Sequence, residues 1–122
     1  TQELLPLLKA NYGDDAPTWK TEYNKKLIQH SFFANVLGKF EEGELNSLEA
    51  LKIDPTQHLA YTNLAAAYLL QGKYQDAEKL YRQYKSEFKE GLLSDFDELA
   101  KAGVIPSERI ADVEKIKKML NE

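Results

Sequence analysis

What most constrains this chain is an internal echo. Residues 37–44 read Leu-Gly-Lys-Phe-Glu-Glu-Gly-Glu, and residues 71–78 read Gln-Gly-Lys-Tyr-Gln-Asp-Ala-Glu, an offset of 34 residues. Self-similarity at a period of 20–50 residues marks architectures that stack one supersecondary unit on the next. Each copy has a glycine that stops a helix, then an aromatic residue and acidic residues that open another. The repeated unit is therefore a helix–turn–helix.

The rest of the chain reads the same way. Residues 2–10 place Leu4, Leu5, Leu7 and Leu8 on a broad apolar face, and Pro6 keeps that helix short. Residues 11–15 form a loop, and Asp15 with Pro17 marks a helix start. A helix over 17–37 carries Trp19, Tyr23 and Leu27 four residues apart and ends at Gly38. Residues 40–53 make the next, stopped by Asp54 and Pro55. Thr56 or Asp54 stands where it can cap a helix over 57–70 that ends at Gly72. Residues 73–89 carry Tyr74, Ala77, Leu80, Tyr81, Tyr84 and Phe88 at spacings of three and four. Gly91 is expected to break this helix. Residues 92–102 then carry Leu92, Phe96, Leu99 and Ala100 on one face, and Gly103 closes them. Pro106 opens a last helix striped by Ile110, Val113, Ile116 (or Lys117), Met119 and Leu120. The expectation is an all-α fold of about seven helices, joined by short loops and therefore stacked as antiparallel hairpins.

Residues 58–91 resemble a tetratricopeptide repeat. Tyr61 stands at the family's first large aromatic, Leu64 and Ala65 at its Leu-Gly/Ala pair, and Tyr68 at the next aromatic. Gly72 and Tyr74 make the turn, Ala77 is the small residue, and Tyr81 is the aromatic of the second helix. Tyr84 replaces a small residue, and Lys89 stands where the family has proline. Residues 24–57 resemble a degenerate copy. Gly38, Phe40, Gly43, Ala50 and Pro55 fit, Leu27 fits loosely, and His30, Ser31 and Ser47 depart. The resemblance implies one TPR-like α-α superhelix. Residues 1–23 would be an N-terminal helical extension, 24–57 and 58–91 the two repeats, and 92–122 capping helices. The tail is similar to one that follows a tetratricopeptide pair in bacterial multidomain proteins. Its last helix carries Glu108, Arg109, Asp112, Glu114, Lys115, Lys117 and Lys118, the polar face a terminal cap requires.

The composition narrows function. A net charge of −4 provides no basic excess, so phosphate neutralisation cannot drive nucleic-acid binding. No apolar run reaches the roughly 20 residues of a membrane span, so no membrane insertion is expected. Without cysteine there are no thiolate nucleophiles, zinc–thiolate sites or disulfides. The chain begins at Thr1, as a processed or trimmed chain would. It reads as soluble, with a cytoplasmic place slightly favoured over an exported one. His30 and His58 lack metal-ligand spacing; His30 reads as a packing residue and His58 as a surface helix start. A Ser31–His30 catalytic pair would need neighbours on a helix to face the same way. Glu41/Glu42 and Asp95/Asp97 read as solvated acidic stretches rather than paired catalytic acids. No catalytic residue, cofactor or metal site is expected.

In the tetratricopeptide family the first helix of each pair lines a concave groove. The resemblance places Lys25, Ile28, Gln29, Phe32, Asn35 and Val36 there from one helix, and Leu59, Thr62, Asn63, Ala66, Leu69 and Leu70 from the other. The candidate partner-binding set is Gln29, Phe32, Asn35, Thr62, Asn63, Ala66 and Leu70. Asn63 stands out because an amide both donates and accepts, and so can clamp a peptide backbone or bond a neighbouring turn. Lys25 alone does not make a carboxylate clamp. The implied function is non-catalytic binding of a protein or peptide in a mixed polar–apolar groove, by a monomer or weak homodimer. The alternative is a structural or regulatory appendage docked onto another domain of a larger protein. The stacking role of Tyr81 makes a first prediction. Tyr81→Ala should lower the unfolding free energy by about 3–5 kcal/mol, read from urea titration.

Overall fold

The structure, a computed structural model, describes residues 16–122. They form five α-helices and one short 3-10 turn, with no strand among them: α1 (Ala16–Val36), α2 (Phe40–Ile53), α3 (His58–Leu70), α4 (Tyr74–Ala102), the turn Ser107–Arg109, and α5 (Ile110–Asn121). Consecutive helices pack on one another, and α1 also packs on α3. The result is two helix hairpins, α1/α2 and α3/α4, side by side, with α5 closing the far end.

The turns follow directly from the glycines. Gly38 and Gly72 adopt φ of 80° and 88°, a region costly for residues with a Cβ. That conformation lets Lys39 N–H reach back to the Ala34 carbonyl at 2.8 Å and Lys73 N–H to the Tyr68 carbonyl at 2.9 Å. Each pair closes a helix end by satisfying carbonyls that would otherwise lack partners. The α2–α3 turn uses a side chain instead. Asp54 accepts from the Thr56 N–H at 3.0 Å, the Thr56 hydroxyl at 2.5 Å and the Gln57 amide at 3.0 Å. These donors hold its carboxyl below the usual carboxylate range. The cap expected of Thr56 or Asp54 on α3 is not made, because both groups are spent on each other inside the loop.

Small residues set how closely the helices approach. Ala50, Ala60, Ala65, Ala67 and Ala77 are all buried between backbones. Gly43 takes this furthest. A Cβ there would clash with Asn35 Oδ1 and lie 3.2 Å from the Ser31 carbonyl. Asn35 Oδ1 is buried without a conventional donor, so the glycine Cα–H faces it, a weak hydrogen bond at best. One apolar core joins Leu69, Leu70, Tyr81, Phe96, Leu99, Ile116 and Leu120 across α3, α4 and α5. A smaller one gathers Tyr23, Leu27, Ala50 and Ala60. Tyr23 also donates to Glu49 at 2.7 Å, and burial together with that carboxylate pushes its hydroxyl up to about 12.

Several expectations are corrected. The seven helices become five, because residues 2–10 lie outside the described residues and because the two helical stretches expected over 73–89 and 92–102 run together as Tyr74–Ala102, joined across a kink. Gly91 does not break it. The discontinuity falls one turn earlier, at Phe88, with φ −125° and ψ 18°. A helical glycine costs only about 1 kcal/mol, which burial of Leu92, Phe96 and Leu99 beyond it offsets. At the kink the Phe88 ring packs 5.6 Å from His58 and 6.0 Å from Tyr84. The last helix starts at Ile110, after the 3-10 turn, rather than at Pro106. Ile110 and Ala100 are exposed, and so is His30, which stands at the edge of the buried stripe of α1.

Two glycines should respond oppositely to the same change. Gly91 has nothing within 4 Å of a built Cβ, so Gly91→Ala should stabilise by about 0.5–1 kcal/mol. Gly43→Ala displaces Asn35 and should cost about 1–3 kcal/mol despite the gain in helix propensity. Urea unfolding midpoints of the two variants check both signs.

Candidate functional site

The first helices of the two hairpins run side by side and leave a concavity of about 390 Å³ between them. Ile28, Gln29, Phe32 and Phe33 of α1 line one side, and Leu59, Thr62 and Asn63 of α3 the other. The residues repeat at intervals of three and four, which keeps each set on one helix face. Asp95, from the segment of α4 beyond the Phe88 kink, closes the wall.

The two sides are stitched together by amides. Asn63 Nδ2 donates to the Ile28 carbonyl at 3.1 Å and to Ser31 Oγ at 2.8 Å. In the opposite direction Asn35 Nδ2 donates to the Asn63 carbonyl at 3.1 Å. Both Asn63 amide protons are thus committed to α1, and the carbonyl acceptor fixes which end of the amide is which. Its Oδ1 accepts from no described residue, which leaves an acceptor at the groove. Thr62 Oγ donates to the Leu59 carbonyl at 2.9 Å, one turn back.

Apart from Thr62, Asn63, Gln29 and Asp95, the lining is apolar, and it is open to water. Phe33 is 59% exposed and Leu59 58%. The Phe32 and Phe33 rings meet edge to face with centroids 6.1 Å apart. A larger depression, about 590 Å³, lies between the start of α2 and Gln71, but Lys39, Glu41 and Glu42 line it. A partner there would have to strip water from charges, a cost the apolar groove does not impose.

Of the residues proposed from the sequence, the structure brings Gln29, Phe32, Thr62 and Asn63 together in this groove. Asn35 is 2% exposed and sits under the helices, tied to Asn63. Ala66 and Leu70 are buried in the core with Phe96, Leu99 and Ile116, because α4 beyond its kink and α5 lie over that end of α3. Phe33 and Asp95 line the groove without having been anticipated. Asp95 had a readable signal, since it follows Leu92 by three and adjoins Phe96 on the inward stripe of its helix. Its pairing with Asp97 made the segment look like a solvated acidic face.

Asp95 is the groove's one ionisable lining residue. Among the described residues no cation pairs with it and no donor bonds it. Burial, and then the Glu98 carboxylate, push its carboxyl up to about 6. Among the described residues no group of side chains could hold a metal ion, and no helix is long and apolar enough to cross a membrane.

The raised Asp95 has a consequence for stability. Between its ordinary value near 3.8 and about 6, the folded chain holds the proton more tightly than the unfolded chain does. Stability from this group therefore falls as pH rises through that window. Asp95→Asn should stabilise the protein by about 1–3 kcal/mol at pH 7.5 and have little effect at pH 4. Thermal melts of both proteins at the two pH values test this. Equal midpoints at pH 7.5 would mean that the carboxylate is hydrated.

Residues 47–79 match the family model of the tetratricopeptide repeat. The matched segment runs from the middle of α2, through the whole of α3, into the first turns of α4. No curated protein and no solved structure matches the chain. Repeats of this kind generally mediate protein–protein interaction. Within the matched segment lie the Gly72-Lys73-Tyr74 turn and the small residues Ala65 and Ala77, and residues 47–79 match a tetratricopeptide repeat within an all-helical fold of stacked hairpins.

Proposed function

We propose that this chain is a protein-interaction module that takes an extended segment of a partner into the groove between α1 and α3. The observation that carries the reading is the pair of large apolar side chains, Phe33 and Leu59, held more than half exposed on either side of a concavity with few polar groups. A volume of about 390 Å³ lies at the lower end of ligand-pocket sizes, about 300–1,000 Å³, which suits a short stretch of chain better than a docked helix. Asn63 Oδ1 and the Gln29 amide offer hydrogen bonds to that chain's backbone. No catalytic role is assigned to any residue.

Magnitudes limit how tight such a complex can be. Burying Phe33 and Leu59 contributes about 1.5–3 kcal/mol each. Association costs several kcal/mol in lost rigid-body freedom. The balance suits a reversible contact with Kd in the range of roughly 1 μM or weaker.

Docking onto another domain of a larger protein is the second reading. Leu37 and Leu45, both exposed outside the groove, favour it. Scattered surface leucines are common on soluble domains, so they weigh less than a lined groove.

A phage-displayed random peptide library, panned against the protein, provides the test. Selected peptides should bind Leu59→Ser about 10–100-fold more weakly, as loss of one apolar anchor implies. The thermal midpoint should barely change, because Leu59 supports no core. Selected peptides that bind both proteins equally would move the partner site to another face.

A further inference from the structure

Asp95 is a cost to the free protein. It sits half-buried in the groove wall, with no cation beside it among the described residues and with the Glu98 carboxylate acting on it as a like charge. The one acidic neighbour that does find a cation near it is Glu98 itself, with Lys101 Nζ at 4.0 Å on the solvent side. The lining contains no Lys, Arg or His. Apart from the Gln29 amide, which both donates and accepts, its free polar atoms are acceptors: the Asp95 carboxylate and Asn63 Oδ1. A wall of this kind matches a ligand that brings hydrogen-bond donors and positive charge together with apolar surface.

We infer that the groove selects a partner segment in which a lysine or arginine flanks a large apolar residue, with the apolar side chain seated between Phe33 and Leu59 and the cation paired to Asp95. The inference rests on the groove being the partner site. Charge complementarity singles out this occupant. An acidic or neutral segment would leave Asp95 buried beneath it with no counter-charge, an expensive outcome for a carboxylate stripped of water. A second copy of the chain would bring another Asp95 and a net charge of −4 to the same place, which repels. The pair, once formed, sits in a partly dry wall, where a charge-assisted hydrogen bond is stronger than at an open surface. The upward displacement of the free carboxyl agrees with this, since a cation would reverse it.

The test uses a panel of fluorescein-labelled ten-residue peptides with a central Phe-Leu pair. Lys, Gln or Glu is placed in turn at each flanking position. Anisotropy titrations are run with the wild type, Asp95→Asn, Asp95→Lys and Leu59→Ser, each checked for its thermal midpoint. The expected order for the wild type at one or more positions is Lys over Gln over Glu, with at least a tenfold span. Asp95→Asn should flatten that order, and Asp95→Lys should invert it. If Leu59→Ser weakens every peptide but the charge order is the same in the wild type and Asp95→Asn, the groove stands and the inference about its ligand fails. If Leu59→Ser changes nothing, or no peptide binds the wild type, the groove reading and the inference fall together. Self-association of the free protein that Leu59→Ser abolishes, seen by sedimentation velocity, would give the groove to a second copy and overturn the proposal.

Discussion

The structure depends on a set of amide hydrogen bonds between α1 and α3. Asn63 spends both its protons on α1, and Asn35 returns one to the backbone of α3. These groups are buried, so a partner lost is not replaced by water, and each unpaired group costs about 1–3 kcal/mol. A slip of α1 along α3 by one turn would orphan all of them at once. Apolar stripes alone tolerate such slips, because one leucine can exchange for another. The amides therefore fix which residues face each other across the groove: Ile28 and Phe32 on one side, Leu59 and Thr62 on the other. The same requirement reaches α2. Asn35 can point at α3 only if its Oδ1 lies where a side chain from α2 would otherwise be, so position 43 must be glycine. The repeat-related position 77 carries alanine, because the residue facing it from the equivalent place is Leu69 rather than an asparagine, and no oxygen has to be housed there.

The groove is short because α4 bends. Beyond Phe88 the helix continues past Gly91 and returns its apolar stripe to the end of α3, where Leu92, Phe96 and Leu99 join Leu69 and Leu70. α5 completes the cover. Its approach is anchored at the α3–α4 turn, where the Arg109 guanidinium lies against the open side of Gly72. A positive charge at the carboxyl end of α3 is also favoured by the helix dipole. This cover turns half of a concave face into core. The open half ends at Asp95, carried there by the bent segment of α4.

Most of the fold could be read from the chain, because its signals are local. Gly38, Gly72 and Gly103 end helices for a reason contained within a few residues, and all three adopt positive φ. Tyr81, Ala77 and Ala65 are buried where a 34-residue period puts them. The misreadings concern competition between local preference and packing. Gly91 looked like the break because glycine weakens a helix, but the kink falls at Phe88, whose ring packs on His58 and Tyr84, residues brought there by tertiary packing. The groove was half legible. Gln29, Phe32, Thr62 and Asn63 follow from helical spacing, whereas Asn35 is buried between α2 and α3 and the burial of Ala66 and Leu70 depends on where α4 and α5 fold back. Asp95 was hidden for the same reason. Its neighbours Asp97 and Glu98 are solvated; the bend of α4 carries all three toward the groove, and helical phase alone puts Asp95 on the stripe of Leu92 and Phe96.

A carboxylate in an apolar wall asks why the site is not simply apolar. An apolar residue at position 95 would strengthen the free protein and deepen the hydrophobic surface already offered by Phe33 and Leu59. It would also make the groove receptive to any exposed leucine or phenylalanine, including those of other copies of the chain. Specificity is a difference between affinities, and a buried like charge or an unpaired one is an efficient way to create it. In the proposed groove, Asp95 would weaken a complex that lacks a cation more than one that supplies it. In the proposed complex the free protein's cost is common to every ligand; what separates ligands is that a cation returns part of it by pairing with Asp95, while one without a charge buries the carboxylate further.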